Sequence, residues 1–166
     1  MRRRSFYMGV TLIELMFSVG LLGLLAGLAA PGFQASLRSA AIRSATFEVL
    51  AGLQQLRANA IVDARPGVFC PTDSAGNCVP AGADAAGWRT YIEDGGARRE
   101  LGGQSLPAGV LLRASRAPLR FWPTASAAST GTLTICGGQG AAPRAIVISQ
   151  TGRPRVDTAP AADCPA

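Results

Sequence analysis

The residues with the clearest chemical potential lie near the C-terminus, in Gly152-Arg153-Pro154-Arg155, with Arg144 one predicted strand earlier. Guanidinium groups bind phosphate oxygens through two parallel hydrogen bonds. Residues two apart in an extended chain point to the same side, so Arg153 and Arg155 could contact consecutive phosphates. Gly152 permits a tight turn, and Pro154 limits backbone freedom between the two arginines. Two solvated arginines in a polar C-terminal loop are the alternative, and charge alone favours that alternative.

No constellation of residues suggests catalysis. The chain has no histidine, which removes histidine-based triads, general bases and most zinc-site patterns. The adjacent carboxylates Glu93 and Asp94 precede a pair of glycines, where aspartate favours a turn. The glycine-rich segment from Cys136 to Gly140 lacks the lysine and the following helix of a phosphate-binding loop. We therefore predict a protein that is not an enzyme and has no cofactor and no metal site.

The composition indicates one exported, loop-rich domain after an apolar N-terminal segment. The 166 residues include 20 Gly and 11 Pro, which favours a mostly β domain over a helical bundle. All 16 basic residues are arginine, and the formal net charge is +6. Without Arg2, Arg3 and Arg4 the side-chain charge falls to +3, a mild excess that does not by itself indicate nucleic-acid binding.

The N-terminal stretch has the features of a membrane-spanning helix. Residues Val10 to Ala30 are predominantly apolar, and their number is close to the ~20 that a bilayer-spanning helix needs. Arg2, Arg3 and Arg4 precede them and favour a cytoplasmic N-terminus, so the chain after Ala30 is expected outside the cytoplasm. A single carboxylate, Glu14, lies near the start of this helix, where its burial in lipid is costly and suggests a functional role.

Gly9 followed by Val-Thr-Leu-Ile-Glu-Leu-Met resembles the prepilin signature of type IV pilins and type II secretion pseudopilins, although the family usually has Phe at the position of Val10. The resemblance implies a leader peptide at 1–9, cleavage after Gly9 by a prepilin peptidase, and N-methylation of Val10. It also implies that Glu14 pairs with the N-terminal amine of a neighbouring subunit during assembly. The expected domains are thus the leader, a transmembrane and filament-core helix at 10–30, and a periplasmic domain at 31–166.

The periplasmic part is predicted to be α+β, with a long N-terminal helix packed on an antiparallel sheet. Pro31-Gly32 predicts a kink or short break. Helical periodicity then predicts an amphipathic helix at about 34–62, whose apolar residues face a sheet. Both tryptophans, Trp88 and Trp122, are expected in the core. Strands are predicted at Val68–Cys70, Trp88–Glu93, Val110–Arg113, Leu119–Trp122, Thr130–Cys136 and Arg144–Ser149.

Four cysteines in an exported domain predict two disulfides. Their spacing fits no zinc ribbon and no redox C-x-x-C motif. Three pairings are possible, and sequence alone does not choose among them. We favour Cys70 with Cys78, closing a small loop, and Cys136 with Cys164, holding the C-terminal segment.

Further segments resemble the family of GspH/FimT-type pseudopilins and minor pilins: the end of the helix from Leu53 to Ile61, the region from Cys70 to Asp94, and the final segment Ile148 to Arg155. The Gly-Arg-Pro-Arg segment resembles the DNA-binding motif of FimT-type minor pilins. This resemblance implies a minor type IV pilin that binds the DNA phosphate backbone for uptake in natural transformation. It also implies other pilins as partners, and a location in the bacterial inner membrane followed by the pilus at the cell surface. The alternative is a GspH-like minor pseudopilin of a type II secretion system, structural and without a DNA role.

Overall fold

The computed structural model describes residues 11–124, 127–138, 141–160 and 163–164, in which one long helix precedes nine strands. The leader 1–9 and the residues Gly9 and Val10 lie outside the described part. The α+β prediction, with a long N-terminal helix on antiparallel strands, is confirmed. The elements are α1 (Leu12–Val62), β1 (Gly67–Thr72), β2 (Asp84–Ala85), β3 (Gly87–Asp94), β4 (Ala97–Ser105), β5 (Val110–Ala114), β6 (Leu119–Phe121), β7 (Gly131–Gly137), β8 (Arg144–Ile148) and β9 (Pro154–Thr158).

Helix α1 is continuous across positions 31 and 32, so the predicted short break is absent. Proline removes one backbone donor, but the helical hydrogen bonds on both sides keep the backbone in one helix. The chain forms two compact units, one ending at Ser36 and the other beginning at Leu37. Within the described residues, no helical stretch combines the length and the hydropathy that a membrane crossing demands.

The strands form two antiparallel sheets instead of the single sheet that was expected. The first has the order β4-β3-β1-β6, and the second has the order β2-β5-β7-β8-β9. In the first, β3 and β4 form a hairpin whose connection lies at Gly95 and Gly96, where the sequence predicted a turn. In the second, β7, β8 and β9 are neighbours along the sheet and consecutive along the chain, which places the last strand at the sheet edge.

The second half of α1 supplies one apolar face to the core of the larger unit. Its fully buried residues recur at intervals of three and four, the spacing of one helix face. They pack in one cluster with residues from both sheets, including Phe69 and Ile92 of the first and Ile135 and Ile146 of the second. The helix residues are Ile42, Ala45, Val49, Leu53, Leu56 and Ala60.

Two disulfides fix the loops of this unit. Cys70 is joined to Cys78, and Cys136 to Cys164, each with the Cα atoms 5.6 Å apart. Inside the smaller loop, the backbone N–H groups of Asn77 and Ala75 donate to Asp73 Oδ1 at 2.8 and 2.9 Å. The hydrogen bond from the Asn77 backbone, with smaller contributions from its neighbours, lowers the pKa of Asp73.

The sequence missed strands β2, β4 and β9. Strand β4 is charged and glycine-rich, and almost all of its residues are exposed, so it carries no alternation of apolar and polar residues. Strand β9 is likewise largely exposed. Both are edge strands, which one neighbour holds through backbone hydrogen bonds, a feature that leaves little trace in side-chain pattern.

Gly52 sets how closely α1 approaches β3. A Cβ added at Gly52 would lie 2.4 Å from Trp88 Cη2 and 2.6 Å from Cζ3. We expect Gly52→Ala to lower the free energy of unfolding by about 1–3 kcal/mol through overpacking, although alanine is the better helix former. Urea unfolding of the full-length chain measures the change. Gly32→Ala is the control, because the same methyl group in the same helix meets nothing within 4 Å. A G52A chain as stable as the wild type would contradict this account.

Candidate functional site

The two C-terminal arginines lie on the hairpin formed by β8 and β9. The strands are antiparallel, with Ile148 opposite Pro154, so residues 149–153 form the connection. The Gly152 N–H donates to the Ser149 carbonyl at 2.9 Å, and the Arg153 N–H donates to Ser149 Oγ at 3.3 Å. Gly152 has a φ of 70°, which strongly favours glycine. The connection is therefore a defined turn, and its hydrogen bonds fix the backbone position of Arg153.

Gly152 is buried where the turn meets the helix and a neighbouring loop. A Cβ added there would lie 3.2 Å from Ala128 Cβ, 3.4 Å from Arg57 Nε and 3.4 Å from Phe121 Cδ1. The backbone of the same loop is attached to the turn, because the Ala128 N–H donates to the Gln150 carbonyl at 3.0 Å. The site thus needs glycine at 152 for its backbone angle and for its small size.

Arg153 borders a groove between the turn and α1. The groove has a volume of about 510 Å³ and is lined on the strand side by Arg153 and Pro154. The helix contributes residues at spacings of three, four and seven, which form one helix face. They are Gln54, Arg57, Ala58 and Ile61. Arg57, which is half-buried, was not among the residues that the sequence indicated. The sequence shows the helical spacing of these residues. It does not show that this helix face meets the turn at residues 149–153, which we call the arginine turn.

Arg155 and Arg144 lie on opposite faces of the hairpin. Arg144 pairs with Thr158, and Arg155 lies three residues before Thr158 on the same strand. Side chains alternate along a strand, so Arg144 shares the face of Thr158 and Arg155 takes the other. The two are also separated by about 10 Å along the strand, at ~3.3 Å per residue. The structure brings Arg57 and Arg153 to one groove, and neither Arg155 nor Arg144 lines that groove.

Within the described residues, Arg155 and Arg153 lack the close ion pairs that five other arginines form. Arg155 Nη2 lies 3.8 Å from Asp157 Oδ2, with 73% of its side chain exposed. In the described part of the chain, no carboxylate oxygen lies within 4.0 Å of the Arg153 guanidinium. Elsewhere, five arginines form closer ion pairs with carboxylates. These pairs are Arg65–Asp94, Arg89–Glu100, Arg99–Asp63, Arg113–Asp84 and Arg120–Glu93.

A second candidate site lies at the start of α1. Thr11 precedes the helix, and its Oγ1 accepts a hydrogen bond from the Glu14 N–H at 3.4 Å. Thr11 and Glu14 have the spacing of a capping box, and a carboxylate in the first helical turn interacts favourably with the helix dipole. Glu14 therefore has a local structural role at the start of the helix. A test of its function in assembly must distinguish that function from this role.

The described residues contain no group of three or more His, Cys, Asp and Glu side chains that could hold a metal ion. The cysteines are bound in the two disulfides, and among the described residues no free cysteine remains.

Comparison with protein families gives a match to the family described as "Type II transport protein GspH", over residues 45–152. The matched range includes the part of α1 that follows residue 44, strands β1 to β8, and the turn up to Gly152. Pilin-like protein PilA1 of Thermus thermophilus is 33% identical to the chain over 166 residues. The alignment covers 90% of this chain and 97% of that relative.

Two solved structures show the same fold at low sequence identity. The type IV minor pilin FimU of Pseudomonas aeruginosa aligns with a TM-score of 0.53 and 21% identity, over 73% of this chain and 90% of that chain. The minor pseudopilin EpsH of the Vibrio cholerae type 2 secretion system aligns with a TM-score of 0.54 and 12% identity, over 70% and 95%. At these identities the likeness concerns the fold alone.

The geometry of the turn predicts a specific loss on substitution. Gly152→Ala introduces both an unfavourable φ and contacts at 3.2–3.4 Å, and Gly109→Ala introduces an unfavourable φ in open space. We expect Gly109→Ala to destabilise the chain by about 1–2 kcal/mol and Gly152→Ala to destabilise it further. Thermal unfolding of the two full-length variants measures the difference. Equal losses would show that the space around residue 152 is not limiting.

Proposed function

Because the chain belongs to the GspH family of type IV pilins and type II secretion pseudopilins, we propose that it is a minor pilin with a DNA-binding turn. As a member of this family it is a structural, pilus- or envelope-associated protein. We assign the leader to 1–9, cleavage by a prepilin peptidase after Gly9, and N-methylation to Val10. Residues 10–30 anchor the chain in the inner membrane before assembly and pack with other pilins afterwards. The N-terminal signature and the relative named as a pilin-like protein, PilA1, support this assignment.

The proposed DNA contact is made by Arg153 and Arg155, with Gly152 shaping the turn. The observation that carries it is the basic end of the hairpin, where Arg153 has no carboxylate within ion-pair distance among the described residues. The 3.8 Å contact of Arg155 with Asp157 is exposed and contributes little, so a phosphate can replace it. Contacts of this kind bind the phosphate backbone of any sequence. Arg144 lies on the opposite face of the hairpin from Arg155 and three strand positions away, so we do not include it in this contact.

A GspH-like pseudopilin of a type II secretion system is the second candidate function. It is favoured by the family match over residues 45–152 and by the shared fold of the secretion pseudopilin EpsH. In that case the turn would serve the structure alone, and the chain would have no role with DNA. Binding of DNA by the purified chain separates the two candidates.

The DNA contact predicts a particular salt dependence. We expect Arg153→Ala/Arg155→Ala to weaken binding of the full-length chain in detergent to unrelated duplex sequences to a similar extent. Loss of two phosphate contacts should reduce the magnitude of the slope of log K against log salt concentration by about 2. Fluorescence anisotropy of labelled duplexes over a salt series measures both quantities.

The matched control removes two positive charges from a part of α1 that lies far from the turn. Arg38 and Arg43 are exposed on α1, and Arg43 lies about 20 Å from Arg57 along the helix, at 1.5 Å per residue. Arg38→Ala/Arg43→Ala should leave the salt slope close to that of the wild type. Equal effects of the two double variants would reject the turn as the site. Absence of binding by the wild type at low salt would favour the secretion pseudopilin.

The assembly role proposed for Glu14 is testable apart from its capping role. Glu14→Gln keeps a residue that a capping box accepts and removes the charge. We expect this variant to enter filaments several-fold less than the wild type, because it cannot form an ion pair with a neighbouring N-terminal amine. The ratio of the chain in sheared filaments to the chain in whole cells measures incorporation. Wild-type incorporation of E14Q would leave Glu14 with the capping role alone.

A further inference from the structure

The groove between the arginine turn and α1 contains two guanidinium groups that come from distant parts of the chain. Arg57 belongs to α1, and Arg153 ends the turn that precedes β9. Among the described residues that line the groove, none is an aspartate or a glutamate. A concave surface lined by one sign of charge concentrates ions of the opposite sign. The groove therefore favours an anion.

Arg57 is held against the turn by the fold itself. It is half-buried, and its Nε lies 3.4 Å from the point at which a Cβ on Gly152 would stand. Gly152 directly precedes Arg153, so the guanidinium of Arg57 lies beside the backbone that carries Arg153. A side chain that packing already orders loses little conformational freedom when it binds a ligand. Arg57 is thus suited to bind an anion together with Arg153.

The rest of the groove is largely apolar. Ala58 and Ile61 of α1 and Pro154 of β9 line it, and Ile61 is 42% exposed. The volume of about 510 Å³ lies within the range of about 300–1,000 Å³ that is typical of small-ligand sites. A phosphate with its adjoining sugar fits such a groove, because guanidinium groups bind the phosphate oxygens and apolar side chains can contact the carbon atoms of the sugar.

We propose that Arg57 and Arg153 hold one phosphate of the DNA backbone between them in this groove, so that α1 contributes a further DNA-binding residue. The inference rests on the proposed DNA binding and adds both a residue and the way in which it acts. Arg155 does not line the groove, and it contacts a different phosphate. Because the groove takes the backbone, the contact is independent of base sequence.

The first test removes the charge of Arg57 and keeps most of the side-chain length. We expect Arg57→Gln, in the full-length chain in detergent, to lower the affinity for a labelled duplex about tenfold. The slope of log K against log salt concentration should fall in magnitude by about 1. Arg57→Lys keeps the charge without the planar fork, so it should keep the wild-type slope and bind several-fold more weakly.

Arg43→Gln is the matched control, because Arg43 is an exposed arginine of the same helix. It should leave both the affinity and the salt slope as in the wild type. A wild-type salt slope in R57Q would overturn the role of Arg57.

The second test asks whether the two arginines share one phosphate. If they do, loss of either arginine weakens the hold of the other, so R57Q/R153Q should lose much less affinity than the product of the two single losses. The losses of R57Q and R155Q should multiply, because they concern different phosphates. Full multiplication for Arg57 and Arg153 would overturn the shared contact.

Tryptophan emission separates a damaged fold from a damaged site. Trp88 is buried over Gly52 of α1, whereas Trp122 is 42% exposed, which corrects the expectation that both tryptophans lie in the core. Emission from Trp88 therefore reports the packing of the helix that carries Arg57, and R57Q should keep the wild-type spectrum. If R57Q does not fold, R57K decides, and wild-type affinity in R57K would overturn the inference.

The variants distinguish failure of this inference from failure of the proposed function. Loss of binding in R153A/R155A, together with normal binding in R57Q, would keep the proposed function and reject the role of Arg57. Reduced incorporation of R57Q into filaments, with DNA binding unchanged, would mean that the groove takes a carboxylate of a neighbouring chain, which also rejects the inference. A wild type that binds no duplex at low salt overturns both.

Discussion

The packing of one helix face against two sheets is the constraint on which the larger unit depends. The buried residues of α1 from Ile42 to Ala60 contact strands of both sheets in one cluster. The edge strands β4 and β9 have few buried side chains of their own, so they gain stability by pairing with strands that contribute to the core. Loss of a large side chain from this helix face would therefore loosen both sheets together.

Close approach at glycines determines how the elements meet the helix. Side chains from one element fill the space that a missing Cβ leaves on another: Trp88 lies over Gly52, Ile42 lies against Gly137, and Leu56 lies against Gly67. The arginine turn is attached in a similar way, with Arg57 beside Gly152. The candidate site is thus built on the same packing as the core, which limits the movement of Arg153 relative to the helix.

The sequence predicted the strands in which apolar and polar residues alternate and the helix in which apolar residues recur every three or four positions. It missed the strands that are held mainly by backbone pairing. The amphipathic half of α1 and the central strands have a clear apolar pattern, whereas β4 and β9 expose most of their residues. For the site, the residues Arg153 and Arg155 were evident from composition and turn chemistry. The separation of Arg155 from Arg144 depends on strand register, and the proximity of Arg153 to Arg57 depends on tertiary packing. Neither is encoded in local pattern.

Strand β9 is the last strand of its sheet, and in the described residues its outer backbone groups have no strand partner. Such an edge can pair with a strand of another chain, a hazard that charged side chains reduce. Arg155 and Asp157 supply those charges on β9, and Arg153 supplies one just before it. Charges placed there disfavour edge-to-edge pairing with a strand of another chain, so the same arginines that are proposed to bind phosphate also keep this sheet edge closed to β-strands.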